Sequence, residues 1–191
     1  MPSSRRDFLH QSTQLAAGLG LSATLPEISR SAAPSDTIRI GLIGVNSMGW
    51  ADLTSMLKNP GAVCVALCDV DSNVLKKRSD ELEKQTGKKV TLYNDFRKLI
   101  DDKTVDAVIV GTPDHWHCLP AVYACQAGKD VYVEKPLATT IDECNLIVAA
   151  ARRYNRIVQV GQWQRSGAHW KAALDYVQSG KIGRVRSVKT W

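Results

Sequence analysis

From residue 37 onward the sequence is divided by six short runs, each continuously apolar or rich in β-branched residues, at 38–43, 63–68, 90–92, 107–110, 131–133 and 157–160. Strands with one wet face alternate apolar with polar residues, whereas strands covered on both faces read as continuous apolar runs. The stretches between these runs are long enough for helices, and strand alternating with helix is the pattern of βαβ units in a parallel sheet. Residues 71–87 set Val74, Leu75 and Leu82 among charges and end on Gly87, a suitable helix C-cap. Residues 141–154 carry a wider apolar face, which predicts a helix packed on the sheet. The expected fold class is α/β, a doubly wound parallel sheet over residues 36–160.

The rest of the chain is read differently at its two ends. Arg5 and Arg6 stand directly before Asp7-Phe8-Leu9, a weakly apolar Gly/Ala-rich stretch follows, and Ser31-Ala32-Ala33 offers a small-residue cleavage point. Residues 1–33 therefore resemble a twin-arginine export signal, which implies a periplasmic protein carried across the membrane already folded. After residue 160 the sequence predicts a helix over 168–177 and then, with Val185, Val188 and Trp191, the first residues of a further strand. Residues 161–191 are thus expected to begin a second α/β domain that the chain does not complete, since 191 residues suffice for one domain and part of another.

Composition removes several function classes. No apolar run reaches the roughly 18–20 residues needed to span a bilayer. Much of the excess behind the formal charge of +6 sits after residue 150, on a stretch without an interleaved aromatic stacking pattern, so nucleic acid is not the expected partner. The five cysteines, Cys64, Cys68, Cys118, Cys125 and Cys144, form no C-x-x-C pair and no cluster with histidine, so neither a metal site nor a disulfide framework is expected. Cys64 and Cys68 are read as small hydrophobes sharing one face of a buried strand.

The first strand runs into Gly44-Val45-Asn46-Ser47-Met48-Gly49, which matches the dinucleotide fingerprint G-x-G-x-x-G except that Asn46 replaces the second glycine. In that fingerprint the first glycine makes the turn, the second admits the pyrophosphate and the third lets helix and strand pack closely. Asn tolerates positive φ better than most residues, so Asn46 is expected to hold that conformation in the turn. A helix follows whose N-terminus can receive phosphate. Asp69, at the end of the second strand, has the spacing of the acid that hydrogen-bonds the adenosine ribose; a carboxylate there repels a 2′-phosphate and favours NAD over NADP.

Three further motifs end successive strands: V-G-T-P-D-H-W-H (110–117), Y-V-E-K-P-L-A-T-T (132–140) and V-G-Q-W-Q-R-S (160–166). With the fingerprint they resemble the Gfo/Idh/MocA family of dehydrogenases over roughly residues 37–191, the E-K-P segment being the most telling part. The resemblance implies a Rossmann-type NAD-binding domain followed by an open-sheet substrate domain, a sugar, cyclitol or related polyol as substrate, and a homo-oligomeric parent protein. It implies that Gly44 to Gly49, Ser47 and Met48 included, bind the pyrophosphate and that Asp69 binds the ribose. Thr112, Pro113, His115 and His117 should flank the nicotinamide end, Glu134, Lys135 and Pro136 should sit by the nicotinamide ribose, and Gln162, Trp163 and Arg165 should lie near nicotinamide and substrate. Lys135 is the expected catalytic residue, an ammonium at the carboxyl end of a strand that can polarise a hydroxyl or carbonyl. A metal held by His115 and His117 is not expected, for want of a third ligand.

In this family the acid/base histidine of hydride transfer comes from the second domain, and no position here matches it; His169, in the connecting helix, is not a substitute. Three functions follow as expectations: the cofactor half of an exported NAD-dependent sugar or polyol oxidoreductase, the same half of a glycoside hydrolase that works by transient oxidation with NAD, or a nucleotide- and sugar-sensing module without turnover.

Overall fold

The computed structural model describes residues 37–190; residues 1–33, read above as resembling a twin-arginine signal, and Trp191 lie outside them. Six strands, β1 (Ile38–Ile43), β2 (Ala62–Cys68), β3 (Thr91–Tyr93), β4 (Ala107–Val110), β5 (Asp130–Val133) and β6 (Val158–Val160), form one sheet in the order β3-β2-β1-β4-β5-β6. Every pairing is parallel. The crossovers carry α1 (Ser47–Met56), α2 (Ser72–Thr86), α3 (Phe96–Asp101), α4 (Cys118–Gln126) and α5 (Ile141–Arg153), and α6 (Ala168–Gln178) follows the last strand. The sheet is doubly wound as expected, with the order reversing between β1 and β4, where sheets of this topology bind ligands. None of the described helices is long and apolar enough to cross a membrane.

Neighbouring residues of a strand point to opposite faces, and the core divides accordingly. Ile40, Leu42, Leu67 and Ile109 pack with Leu53 of α1 and Leu75 and Leu82 of α2. Ala66, Cys68, Val108, Val110, Val131 and Val133 pack on the other face with Leu99, Ala121, Ala124 and Ile147 of α3 to α5. Burial on both faces is the physical reason for the apolar runs.

Cys64 and Cys68 do not share a face. The β1–β2 register slips between Ile40, opposite Cys64, and Gly41, opposite Ala66, so Val65 is an extra residue on β2. A bulge of one residue reverses the alternation beyond it: Cys64 packs on the α1–α2 side and Cys68 on the other. Both are small hydrophobes, as expected, and burial pushes each thiol up to about 12.

The helix ends follow local chemistry. Asp71 caps α2 through the Asn73 and Val74 N–H groups, and Gly87 closes it at φ 70°. Thr140 and Glu143 form a reciprocal capping box at α5. The strand expected around Val185 and Val188 is not formed; both are exposed and no strand lies beside them among the described residues. A strand is stabilised through its ladder and its covered face, and two valines without either do not make one. Helix α6, predicted over 168–177, forms over Ala168–Gln178 and packs chiefly against the turn Trp163–Ser166.

Candidate functional site

The carboxyl ends of β1, β2, β4 and β5 converge on the start of α1. Gly44 leaves β1 at φ 84°, and its N–H donates to the Cys68 carbonyl at 2.9 Å. A Cβ on Gly44 would stand 2.7 Å from Gly111 backbone atoms, one on Gly49 would collide with the Gly44 carbonyl, and one on Gly111 would lie 3.0 Å from the Gly49 nitrogen. Three glycines from two strand ends and one helix thus replace side chains with backbone contact. Gly111 belongs to this cluster, and its signal was legible as the glycine directly after a strand in V-G-T-P.

Asn46 does not take positive φ. It is extended, at φ −104° and ψ 169°, and the left-handed residue is Ser47, at φ 44°. The turn needs one left-handed residue after Gly44, and it falls one position later than the fingerprint suggests. Extended backbone lets the Asn46 side chain turn aside, where its oxygen accepts from Arg78 of α2 at 3.5 Å. Helices α2, α3 and α5 are capped by side chains, whereas α1, like α4 and α6, has no side-chain cap. The first-turn N–H groups of a helix have no intrahelical acceptor, so those of α1 are available to an anion at Asn46, Ser47 and Met48.

Two cavities adjoin this turn. The first, of about 440 Å³, is lined by Asp69, Asn94, Phe96, His115 and Trp116 among others. Asp69 accepts the Val45 N–H at 2.9 Å and the Asp71 N–H at 3.0 Å, one on each carboxylate oxygen. Phe96 and Trp116 meet edge to face with centroids 6.2 Å apart, which gives the cavity an apolar wall suited to a flat ring. The second, of about 380 Å³, is lined by Asn46, Ser47, Met48, His117, Glu134 and Lys135 among others. Thr112 and Pro113 line both.

His117 is 1% exposed. Its Nδ1 lies 2.6 Å from the Pro136 carbonyl and its Nε2 2.8 Å from that of Thr112. It clamps the β4 exit to the E-K-P turn, where the Lys135-Pro136 bond is cis. The resemblance set His115 beside His117 at the nicotinamide end, but the two separate: His115 lines the Asp69 cavity and His117 the Lys135 cavity. Residues 114–116 form a 3₁₀ turn, in which positions two apart cannot point the same way.

The structure therefore gathers Asn46, Ser47, Met48, Thr112, Pro113, His117, Glu134 and Lys135 around one cavity and Asp69 and His115 around the other, with Gly44 and Gly49 shaping the turn between. Gln162, Trp163 and Arg165 line neither cavity and are exposed. Sequence reasoning passed over Asn94, Phe96 and Asp52. Asp52 could have been noticed as an acid beside Leu53 on the inward stripe of α1; it is 8% exposed, and burial together with the carboxyl of Glu134 pushes it up to about 7.

The donor set fits a dinucleotide: an uncapped helix start, a carboxylate at the end of β2, and a buried Thr112 hydroxyl with no partner between the two cavities. No group of three or more His, Cys, Asp or Glu among the described residues is arranged to hold a metal ion.

Residues 38–162 match the Gfo/Idh/MocA family, described as an oxidoreductase family with an NAD-binding Rossmann fold. Among curated proteins the chain is 30% identical over 205 residues to a glycosyl hydrolase family 109 protein of Shewanella pealeana, covering 97% of this chain and 45% of that one. It is 28% identical to an alpha-N-acetylgalactosaminidase of Shewanella oneidensis, covering 95% and 44%. Among solved structures, myo-inositol 2-dehydrogenase of Lactobacillus plantarum aligns with a TM-score of 0.70 and 28% identity over 78% of this chain and 43% of that one. Scyllo-inositol dehydrogenase of Lactobacillus casei, solved with NAD(H) and scyllo-inositol, aligns with a TM-score of 0.69 and 27% identity over 77% and 42%. The chain spans less than half the length of these relatives.

Proposed function

Because the chain belongs to the Gfo/Idh/MocA oxidoreductase family through its NAD-binding Rossmann domain, we propose that it is the cofactor-holding part of an exported enzyme that moves a hydride to or from a sugar, cyclitol or related polyol. The observation that carries this reading is the pair of cavities joined through Thr112 and Pro113, one holding Asp69 and the other Lys135. The first takes the adenosine half and the second the nicotinamide half, with the pyrophosphate over the uncapped start of α1. Two inositol dehydrogenases among the structural relatives support the substrate class.

When bound, NAD supplies a nicotinamide ring that accepts or returns a hydride. The chain's own residues bind and orient. Asp69 offers its remaining acceptor capacity to ribose hydroxyls and repels a 2′-phosphate. Lys135, exposed at the carboxyl end of β5, presents an ammonium that hydrogen-bonds the reacting oxygen and stabilises negative charge developing there. His117 and Glu134 hold the backbone on either side of Lys135.

A second reading, an NAD-dependent glycoside hydrolase working by transient oxidation, is supported by the family 109 relatives. The two separate on one assay of the whole protein: net NADH from a free polyol marks a dehydrogenase, and sugar released from a glycoside without net NADH marks a hydrolase. Under either, Lys135→Ala lowers turnover more than it weakens NAD binding; an unchanged turnover removes Lys135 from the mechanism. Export through Arg5 and Arg6 is part of the proposal, and replacing both with lysine should leave the precursor in the cytoplasm.

A further inference from the structure

Beneath the Lys135 turn lies a pair of acids that neither the sheet nor the helices require. Asp52 projects from α1 and is 8% exposed; Glu134 follows β5 and is 3% exposed. Asp52 Oδ2 and Glu134 Oε1 are buried without a donor among the described residues, and neither acid has a salt bridge there. Glu134 Oε2 accepts the Lys135 N–H at 3.2 Å. Glu134 is the acid beside Asp52 and, after burial, helps to raise it. Ionised carboxylates are acceptors only, so two buried acids side by side, each with an oxygen that no donor reaches, call for a proton on one of them.

The surroundings hold the pair together. A Cβ on Gly161 would strike the Glu134 carboxyl and come within 2.9 Å of the Tyr132 hydroxyl, so the absence of a side chain at Gly161 is what gives Glu134 its place. On the far side of the turn, His117 fixes the Pro136 carbonyl. Glu134 thus stands beside Asp52 of α1 and accepts the Lys135 N–H through Oε2.

We infer that Asp52 and Glu134 share a single proton and act as one acid, which makes Asp52 a positioning residue for the turn that carries Lys135. The inference goes beyond the functional reading above, and its main test needs no cofactor. The titratable groups facing the pair are Tyr132, pushed up to about 12 by burial and by the two acids and so neutral throughout, and, on the same cavity as Glu134, His117 and Lys135.

Burial, and secondarily Glu134, raises Asp52 to about 7, whereas an unfolded aspartate ionises near ~3.9. The folded chain therefore holds an extra proton between those values. Its stabilising effect is full below the lower value, declines as pH rises through the window and is gone above the upper one.

The test is the unfolding midpoint of the intact chain from about pH 5 to about pH 8, for wild type, Asp52→Asn and Glu134→Gln, together with the infrared carboxyl band at about pH 6. An amide at position 52 donates to Glu134 at every pH. Wild type should lose stability across the window while Asp52→Asn stays flatter and becomes the more stable of the two at about pH 8. Wild type should show a protonated-carboxyl band that both variants lose. NADH affinity should survive Asp52→Asn and fall roughly tenfold in Asp52→Leu, which leaves Glu134 buried without a donor. Parallel pH profiles for wild type and Asp52→Asn, or a wild-type spectrum without the band, would overturn the inference. If Asp52→Asn does not fold, the wild-type band and its loss in Glu134→Gln decide the matter in the same way.

Discussion

At the scale of single residues the site depends on a few positions where size or charge admits one answer. Gly49→Ala sets a methyl group against the Gly44 carbonyl and 3.2 Å from Gly111 Cα. Both neighbours are backbone, so α1 must move; a loss of about 3 kcal/mol is expected in denaturant unfolding. Gly87→Ala also meets positive φ, but nothing stands within 4 Å of the new methyl, and about 1 kcal/mol is expected. Asp69→Asn keeps acceptors for Val45 or Asp71 but removes the charge. NADP affinity should rise relative to NAD by roughly tenfold in calorimetric titration; an unmoved ratio would detach Asp69 from cofactor choice. The spacing of Gly44, Gly49 and Asp69 was readable because a turn fixes which side chains are excluded. That Ser47 rather than Asn46 takes positive φ was not, since residues 45–49 and the backbone of β4 adjust together.

Elements were legible where they obey one local rule. Thr140-Ile-Asp-Glu143 has the spacing of a capping box, and Thr140→Ala should cost about 1 kcal/mol of stability by removing the acceptor for the Glu143 N–H. The division of β2 between two faces was hidden, because a bulge is a relation between two strands and appears in neither sequence alone. Lys129 is a similar case. It is 4% exposed, and its ammonium donates to the Asp102 and Val105 carbonyls at 2.7 Å each, pinning the loop before β4 at the amino end of the sheet, away from the cavities. Lys129→Met should lower the unfolding free energy by about 1–3 kcal/mol through the carbonyls left unpaired, while NAD affinity stays near its original value.

For the whole molecule, the sheet and its helices form the body that carries both cavities, and α6 adds little to it. Trp163, Trp170 and Leu174 are each more than half exposed, and α6 packs chiefly on the turn beside it. A chain ending at Gln162 should therefore keep the unfolding midpoint and NAD affinity of the longer one; loss of either would mean that residues 163–190 support the sheet. The sequence alone determined the α/β class, six strands to within a residue or two at their ends, and the strand-end loops that bear the site. These follow from local periodicity, from glycine sterics and from burial of strands on both faces, all of which act within a short stretch of chain. Tertiary structure alone decided the face of each β2 cysteine, the parting of His115 from His117 and the meeting of Asp52 with Glu134. Each depends on contact between segments far apart in sequence, where register and the shortage of hydrogen-bond donors in a closed interior, rather than residue type, determine the outcome.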